Sequence, residues 1–491
     1  VGTRKRFTLF RQASAGVVML RRQRLDKARN AGLNGLATVF ETQQRPVAET
    51  LPLLAGDSPA RVVAWRHGVP VDAAQFLADV QLVAAQLPGA STAVNLCEDR
   101  YAFLVAFSAI AWRGQTNLLP SSRAPRAIDE VMAAHPGCYA LGDQALALAP
   151  PHYQRLPDLP ARGDRTLAAW PELGADQVVA IGYTSGSTGQ PAAHVKTWRS
   201  FHASNAGNLR MLRQYVTEPF HVVATVPPQH MYGMETSVVL PLLGNVAVCG
   251  GRPFFPADVA AALAAVPAPR VLVTTPVHLR AVVESGVALP PLAAILSATA
   301  PMPLDLAVQA EQRYGAPLLE VFGSTETCVF ASRRPAVDER WQLYDGVTLQ
   351  PQPDGTQVHA PQLSMPVALA DLVTLHDEGR TFRLCGRHAD MLEIAGKRAS
   401  LADLTRRLLA IPGVQDAVVL QLDEADASGV RRVAALAVAP GLGEAQILDA
   451  LRNAVDPLFL PRPLRLVATL PRNETGKLPR GALLELLASR D

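Results

Sequence analysis

Nine residues, Tyr183-Thr184-Ser185-Gly186-Ser187-Thr188-Gly189-Gln190-Pro191, constrain the architecture more than any other stretch of the chain. They follow Val178-Val179-Ala180-Ile181, an apolar run that reads as a short buried strand. Glycine lets the backbone bend so that successive N–H groups point into one concavity. The hydroxyls of Thr184, Ser185, Ser187 and Thr188 add donors around it. Such a nest suits a polyphosphate, and the bland alternative is a flexible Ser/Gly turn. No Lys-Ser or Lys-Thr closes the pattern, so it is not a Walker A loop.

On either side, helix-like and strand-like segments alternate. Residues 71–87 and 101–112 have helical spacing, the second stopping at Gly114, and 92–96 is strand-like. This alternation predicts an α/β fold, with sheets covered by helices. After the Gly-rich stretch, the pattern predicts a helix over 196–214 whose first turn would aim N–H dipoles at bound phosphate. Buried strands are predicted over 222–226, 246–249, 271–274 and 294–297. Polar clusters follow three apolar strands: His230-Met231-Tyr232-Gly233, then Ala298-Thr299-Ala300, then Phe322-Gly323-Ser324-Thr325-Glu326-Thr327. Open α/β sheets bind ligands beyond the carboxyl ends of their strands, so these clusters are expected to share one site.

Near residue 385 a shorter unit begins, with helices expected over 401–411 and 445–455 and strands over 414–421 and 433–438. The expected division is a basic, poorly packed leader over 1–40, a large N-terminal domain over 41–386 and a small, mobile C-terminal α+β domain over 387–491.

Charge narrows the partners. Residues 1–29 hold nine Arg or Lys and one Asp, a net of 9 − 1 = +8, which leaves 3 − 8 = −5 for the remainder. No aromatic-interleaved basic surface follows, so no nucleic-acid partner is expected. No apolar run reaches the roughly 18 residues of a membrane span. Cys97, Cys138, Cys249, Cys328 and Cys385 are scattered and form no C-x-x-C pair, which predicts a reducing, cytoplasmic setting and no zinc site.

Taken in order, residues 184–189, Gly323 to Thr327, Asp371, Gly386-Arg387 and Gly476-Lys477 resemble the motif series of the adenylate-forming (ANL) superfamily, which includes acyl-CoA synthetases, peptide-synthetase adenylation domains and firefly luciferase. The resemblance runs over nearly all of the chain after residue 45. It implies that a carboxylic acid is activated with ATP and Mg²⁺ as an acyl-adenylate. By resemblance, Thr184, Ser185, Gly186, Ser187, Thr188 and Gly189 hold the β- and γ-phosphates. Thr325 contacts the α-phosphate, and Glu326 binds the metal, whose hardness suits carboxylate oxygen. Phe322 stacks on adenine, with Ala298, Thr299 and Ala300 on its other side, and Gly323 belongs to the same nucleotide-binding set; Asp371 accepts the ribose hydroxyls and Arg387 reaches ribose or phosphate. Lys477 bridges carboxylate and α-phosphate, a role for a mobile point charge. Ala389 is the expected hinge for the swing that admits a thiol.

Two residues depart from the family pattern. Ala192 stands where a lysine is usual, with Lys196 as a substitute from the next turn, and Glu393 replaces a frequent lysine.

The acid pocket is expected from His230, Met231, Tyr232, Gly233 and Thr327, with His230 flanking the carboxylate. Met231 is apolar and adaptable, where amino-acid-activating relatives carry an Asp; an α-amino acid would leave its buried ammonium unpaired. No carrier domain follows Lys477, so a separate acceptor is expected, acyl carrier protein or CoA. With Thr197-Trp198, the chain looks similar to ligases of aryl-polyene and xanthomonadin pigment pathways, which load an aromatic acid such as 3-hydroxybenzoate onto acyl carrier protein. Arg398, Arg406 and Arg407 would meet an acidic carrier, or else form a solvated helix face. Two alternatives stay open: a medium- or long-chain fatty acyl-CoA synthetase, and a non-catalytic nucleotide-binding protein.

Overall fold

A computed structural model describes residues 49–159, 170–184, 192–387, 391–394, 397–425, 431–452, 454–473, 476 and 478–489. Residues 49–491 belong to one compact unit. The expected leader over 1–40 lies outside the described residues.

The predicted α/β character is present. Among the described residues the main sheet has eleven strands, and its centre is parallel. Val62–Arg66, Val246–Cys249, Phe220–Ala224, Arg270–Thr274, Ala294–Ser297 and Leu318–Ser324 lie side by side in that order, all parallel. Their Val, Ile and Leu runs are continuous rather than alternating, as strands covered on both faces require. Cys328–Arg333, Trp341–Leu343, Thr381–Arg387 and Asp371–His376 then extend the sheet antiparallel.

A second sheet of six strands runs in the order Ala192–Thr197, Val178–Thr184, Thr116–Leu119, Thr92–Asn95, Tyr139–Gly142 and Tyr153–Arg155. The helix Arg100–Trp112 packs against strands of both sheets, and every residue from Arg100 to Ala111 is buried. A helix apolar all round belongs inside, and RYAFLVAFSAIAW satisfies that. Asp99 caps its start by accepting from Ala102 N at 2.9 Å.

The helix expected over 196–214 is present as Trp198–Leu212, and a strand not foreseen in the sequence precedes it. Ala192–Thr197 pairs antiparallel with Val178–Thr184, and the helix begins only at Trp198, with Thr197 as its N-cap. Cross-strand pairing on an existing sheet outcompetes the local helical pattern of Lys196 and Thr197. The first turn of that helix is thus separated in sequence from residues 185–189 by the whole strand Ala192–Thr197.

The C-terminal part carries cores of its own. Asp416–Ala425, Arg431–Val438 and Leu464–Leu466 form a three-stranded sheet. Val433, Ala435 and Ala437 face Leu404, Leu408 and Ile447, whereas Ala434 and Leu436 face Leu483 and Leu487. Alternation with period two thus buries both faces under helices. Arg406 and Arg407 both pair with Asp403 on their own helix Leu401–Leu409, Arg407 Nε at 2.7 Å. Among the described residues, no helix is long and apolar enough to cross a membrane.

Candidate active site

Four parallel strands, Phe220–Ala224, Arg270–Thr274, Ala294–Ser297 and Leu318–Ser324, release their loops at the same edge. The clusters expected to share one site are those loops. Of the Gly-rich stretch, Thr184 is described, whereas Ser185, Gly186, Ser187, Thr188 and Gly189 lie outside the described residues, as do Lys477 and Ala389.

The turn between Leu318–Ser324 and Cys328–Arg333 presents Thr325 and Glu326. It is closed by Ser324 N donating to Thr327 Oγ1 at 3.0 Å and Thr327 N donating to Ser324 Oγ at 3.3 Å. Cys328 sits at φ 59°, a left-handed conformation that costs a non-glycine residue about 1–3 kcal/mol. Gly323 allows the bend, because a Cβ there would lie 2.2 Å from the Cys328 carbonyl oxygen. Gly182, on the neighbouring sheet, plays a similar part: a Cβ would meet Thr325 Cγ2 at 2.7 Å and Met231 Cε at 3.2 Å. Its missing side chain lets the expected phosphate residue and the expected acid-wall residue converge.

His194 joins the Gly-rich strand to this turn. Opposite Gly182 in the hairpin, its Nε2 is 3.1 Å from Thr184 Oγ1 and 3.4 Å from Glu326 Oε1. Burial lowers the His194 pKa despite the Glu326 carboxylate, so the ring is held neutral. For Glu326, burial pushes upward, but the Ser324 hydroxyl, a backbone N–H, His194 and Lys196 outweigh it and the carboxyl is lowered. Lys196, next on the same strand face, is only 3% exposed, and its Nζ donates to the Glu326 carbonyl oxygen at 2.8 Å. That commits it to the turn backbone.

The acid-wall residues lie on a short helix, Met231–Met234, with half-buried His230 as its N-cap. Met231 is 6% exposed, and Tyr232 Oη donates to the Leu296 carbonyl at 2.9 Å. Gly233 is required by contact, since a Cβ would fall 2.0 Å from the Pro227 carbonyl oxygen. A five-residue π-helix, Glu235–Val239, follows at once. Glu235 is 2% exposed, accepts from Val329 N at 3.0 Å and from Asn208 Nδ2 at 3.4 Å, and also bonds Ser204. Burial pushes its carboxyl upward.

On the remaining side, Ala298 is buried and Thr299 sits at φ 80°, its buried Oγ1 without a hydrogen-bond partner among the described residues. Phe322 is half-buried in an aromatic cluster, 5.3 Å from Phe330, 5.2 Å from Trp341 and 5.9 Å from Phe382. Asp371 and Arg387 are register partners on adjacent strands. Gly476, which precedes Lys477, faces this loop: a side chain there would meet Val277 Cγ2 at 3.7 Å and Thr299 Oγ1 at 3.9 Å. Its carbonyl accepts from Arg472 Nη1 at 2.7 Å, and Arg472 makes a two-pronged pair with Asp416, Nε at 2.9 Å and Nη2 at 2.6 Å.

His194 and Glu235 were not among the expected site residues. For His194 a signal existed, since it alternates with Ala192 and Lys196 once the stretch is read as a strand. Glu235 is one acid in a helical segment, and nothing local marks it as inward-facing.

A family model described as "AMP-binding enzyme" matches residues 100–360. The chain is 28% identical over 311 residues to 4-coumarate–CoA ligase of Halorhodospira halophila, a match covering 60% of this chain and 73% of that one. It is also 28% identical over 356 residues to the p-hydroxybenzoic acid–AMP ligase of Mycobacterium tuberculosis, covering 63% of this chain and 49% of that one. A third match, 37% identical over 115 residues to an isonitrile lipopeptide synthase of Streptomyces coeruleorubidus, covers 23% of this chain and spans only 8% of that protein. In fold, the chain is similar to o-succinylbenzoate CoA synthetase of Bacillus subtilis solved with its acyl-adenylate, at a TM-score of 0.75, 18% identity, and coverage of 90% of this chain and 99% of that one.

Proposed function

Because the chain belongs to the AMP-binding enzyme family, we propose that it activates a carboxylic acid as an acyl-adenylate and passes the acyl group to a phosphopantetheine thiol. The observation that carries this reading is the convergence of Thr184, His194, Thr325 and Glu326 on one edge, with Glu326 kept ionised. A carboxylate is a poor electrophile, and attack on the α-phosphate of ATP builds charge on phosphate oxygens. Donors and positive charge already facing that position lower the barrier without reorganising.

Thr184 and the 185–189 stretch take the β- and γ-phosphates, and Thr325 takes the α-phosphate. Glu326 fits a hard cation, having a depressed pKa and 32% side-chain exposure. Among the described residues no cluster of three or more His, Cys, Asp or Glu could hold a metal. A magnesium ion beside Glu326 would therefore complete its shell with phosphate oxygens and water, neutralising phosphate charge. Thr299, whose Oγ1 has no partner among the described residues, faces the nucleotide together with Ala298, Ala300 and Phe322. Asp371 and Arg387 take the ribose, Lys477 bridges the reacting oxygens, and Ala389 is the hinge between domains divided near residues 386 and 387.

For the acid, the favoured class is aromatic, such as 3-hydroxybenzoate. Met231, nearly fully buried beside Gly182, offers a flat apolar wall and no partner for an ammonium. The names of relatives, 4-coumarate–CoA ligase, p-hydroxybenzoic acid–AMP ligase and 3-hydroxybenzoate–CoA ligase, point the same way. The acceptor is proposed to be acyl carrier protein, with CoA as the competing thiol.

The test is pyrophosphate release from ATP and Mg²⁺ with a panel of benzoates, cinnamates and fatty acids, followed by a swap of holo-carrier protein for CoA. Turnover with hydroxybenzoates supports the reading. Silence with every acid refutes it, and chain-length-dependent activity restricted to fatty acids refutes the aromatic assignment.

A further inference from the structure

We infer that Lys196 and Glu235 form a buried clamp of opposite charge that positions the Thr325–Glu326 turn, so that both are positioning residues for nucleotide and metal. The inference rests on the reading of that turn as the phosphate and metal edge of the site.

The two residues come from separate elements, the strand Ala192–Thr197 and the π-helix Glu235–Val239, and both are almost wholly buried. They grip the turn at two points of opposite polarity. Lys196 Nζ donates to the Glu326 carbonyl oxygen at 2.8 Å, and Glu235 accepts from Val329 N through Oε1 at 3.0 Å and Oε2 at 3.2 Å. Between these points lie Thr327 and Cys328, the latter in a left-handed conformation that side chains rarely adopt. A strained turn persists where its surroundings over-determine it, and here a donor and an acceptor hold its two sides.

Glu235 is itself fixed. Ser204 and Asn208, on the helix Trp198–Leu212, bond its carboxylate, and Tyr344 Oη donates to Asn208 Oδ1 at 3.1 Å. Lys196 and Glu235 thus hold the residues on either side of the Thr327–Cys328 pair, one from each flank of the turn. A buried charge is costly unless it is hydrogen-bonded, and both are: Lys196 to the Glu326 carbonyl and Glu235 to Val329 N.

The test uses the full chain with Lys196→Met, Lys196→Arg, Glu235→Gln and the double variant Lys196→Met/Glu235→Gln. Three quantities are read: thermal stability, amide hydrogen exchange of residues 322–330 without ligand, and the half-saturating Mg²⁺ concentration for ATP-dependent pyrophosphate release. Lys196→Met should speed exchange across the turn several-fold and raise the Mg²⁺ requirement about tenfold, as loss of an outer support does, while KM for the acid holds steady. Lys196→Arg should recover most of both. The double variant removes both charges, so its stability should return toward wild type while fast exchange and the raised Mg²⁺ requirement remain.

Unchanged turn exchange in Lys196→Met overturns the clamp. So does recovery of exchange and Mg²⁺ requirement together with stability in the double variant, since that is the behaviour of a purely structural pair. Should wild type release no pyrophosphate with any acid, the functional reading falls, and the exchange arm still decides the clamp.

Discussion

His194 Nε2 lies 3.4 Å from Glu326 Oε1, across the gap between the two sheets of the N-terminal part. The same nitrogen is 3.1 Å from Thr184 Oγ1, so an Nε2–H tautomer donates to the carboxylate while facing the end of the Gly-rich strand. A neutral ring here holds Glu326 in place without cancelling the charge proposed to meet a cation.

Burial lowers the pKa of His194, and of His202, His221 and His278. A lowered histidine pKa means that the unfolded chain takes up its proton first, near the ordinary value of 6.5. Stability is therefore complete above that pH and is lost as pH falls from it toward the lowered folded values. Glu326, lowered from 4.5, adds stability that is lost only at more acid pH, as pH falls through its folded value. The melting temperature should drop between about pH 7.5 and about pH 5.5, and His194→Gln should flatten part of that slope. A melting temperature that rises on acidification would contradict this account.

Lys477→Ala should lower pyrophosphate release on the order of 10²-fold or more, the cost of removing one transition-state donor, while thioester formation from supplied acyl-adenylate largely survives. Arg472→Ala, which frees the Gly476 carbonyl, should impair the same half-reaction more mildly. Rapid-quench measurement of each half separates them, and equal loss in both would count against this division of labour.

Gly182→Ala places a methyl 2.7 Å from Thr325 Cγ2. Overpacking of this kind costs about 1–3 kcal/mol, and displacement of Thr325 should reduce adenylation beyond what the stability loss explains. Thr325→Ser removes the opposing methyl and keeps the hydroxyl, so the double variant should regain activity relative to Gly182→Ala. Thermal melts and initial rates on the four proteins check it; no recovery in the double variant would place the effect elsewhere.

Met231→Asp buries a carboxylate beside Gly182 with no positive partner supplied by aromatic acids. Activity with hydroxybenzoates should fall more than tenfold, roughly the 1–3 kcal/mol of a poorly matched pocket, with the loss mainly in KM. Initial rates against acid concentration test this; retained KM would remove Met231 from the acid wall.

The strand runs and the order of the clusters were legible because they are local. Val246–Cys249 and Ala294–Ser297 stand where their apolar runs predict, and the helix ending at Trp112 stops just before Gly114 as expected. The roles proposed for Thr325, Glu326 and Met231 likewise start from residue type, which is local information. Only the tertiary structure decided that Val178–Thr184 and Ala192–Thr197 pair antiparallel, that Lys196 ends on the Glu326 carbonyl and that Glu235 faces inward to Val329. Those outcomes depend on the register of strands and on contacts between residues 94 and 130 positions apart. A hydrogen bond between distant segments leaves no trace in the local pattern of either, because its energy exists only once the sheets have packed and excluded water.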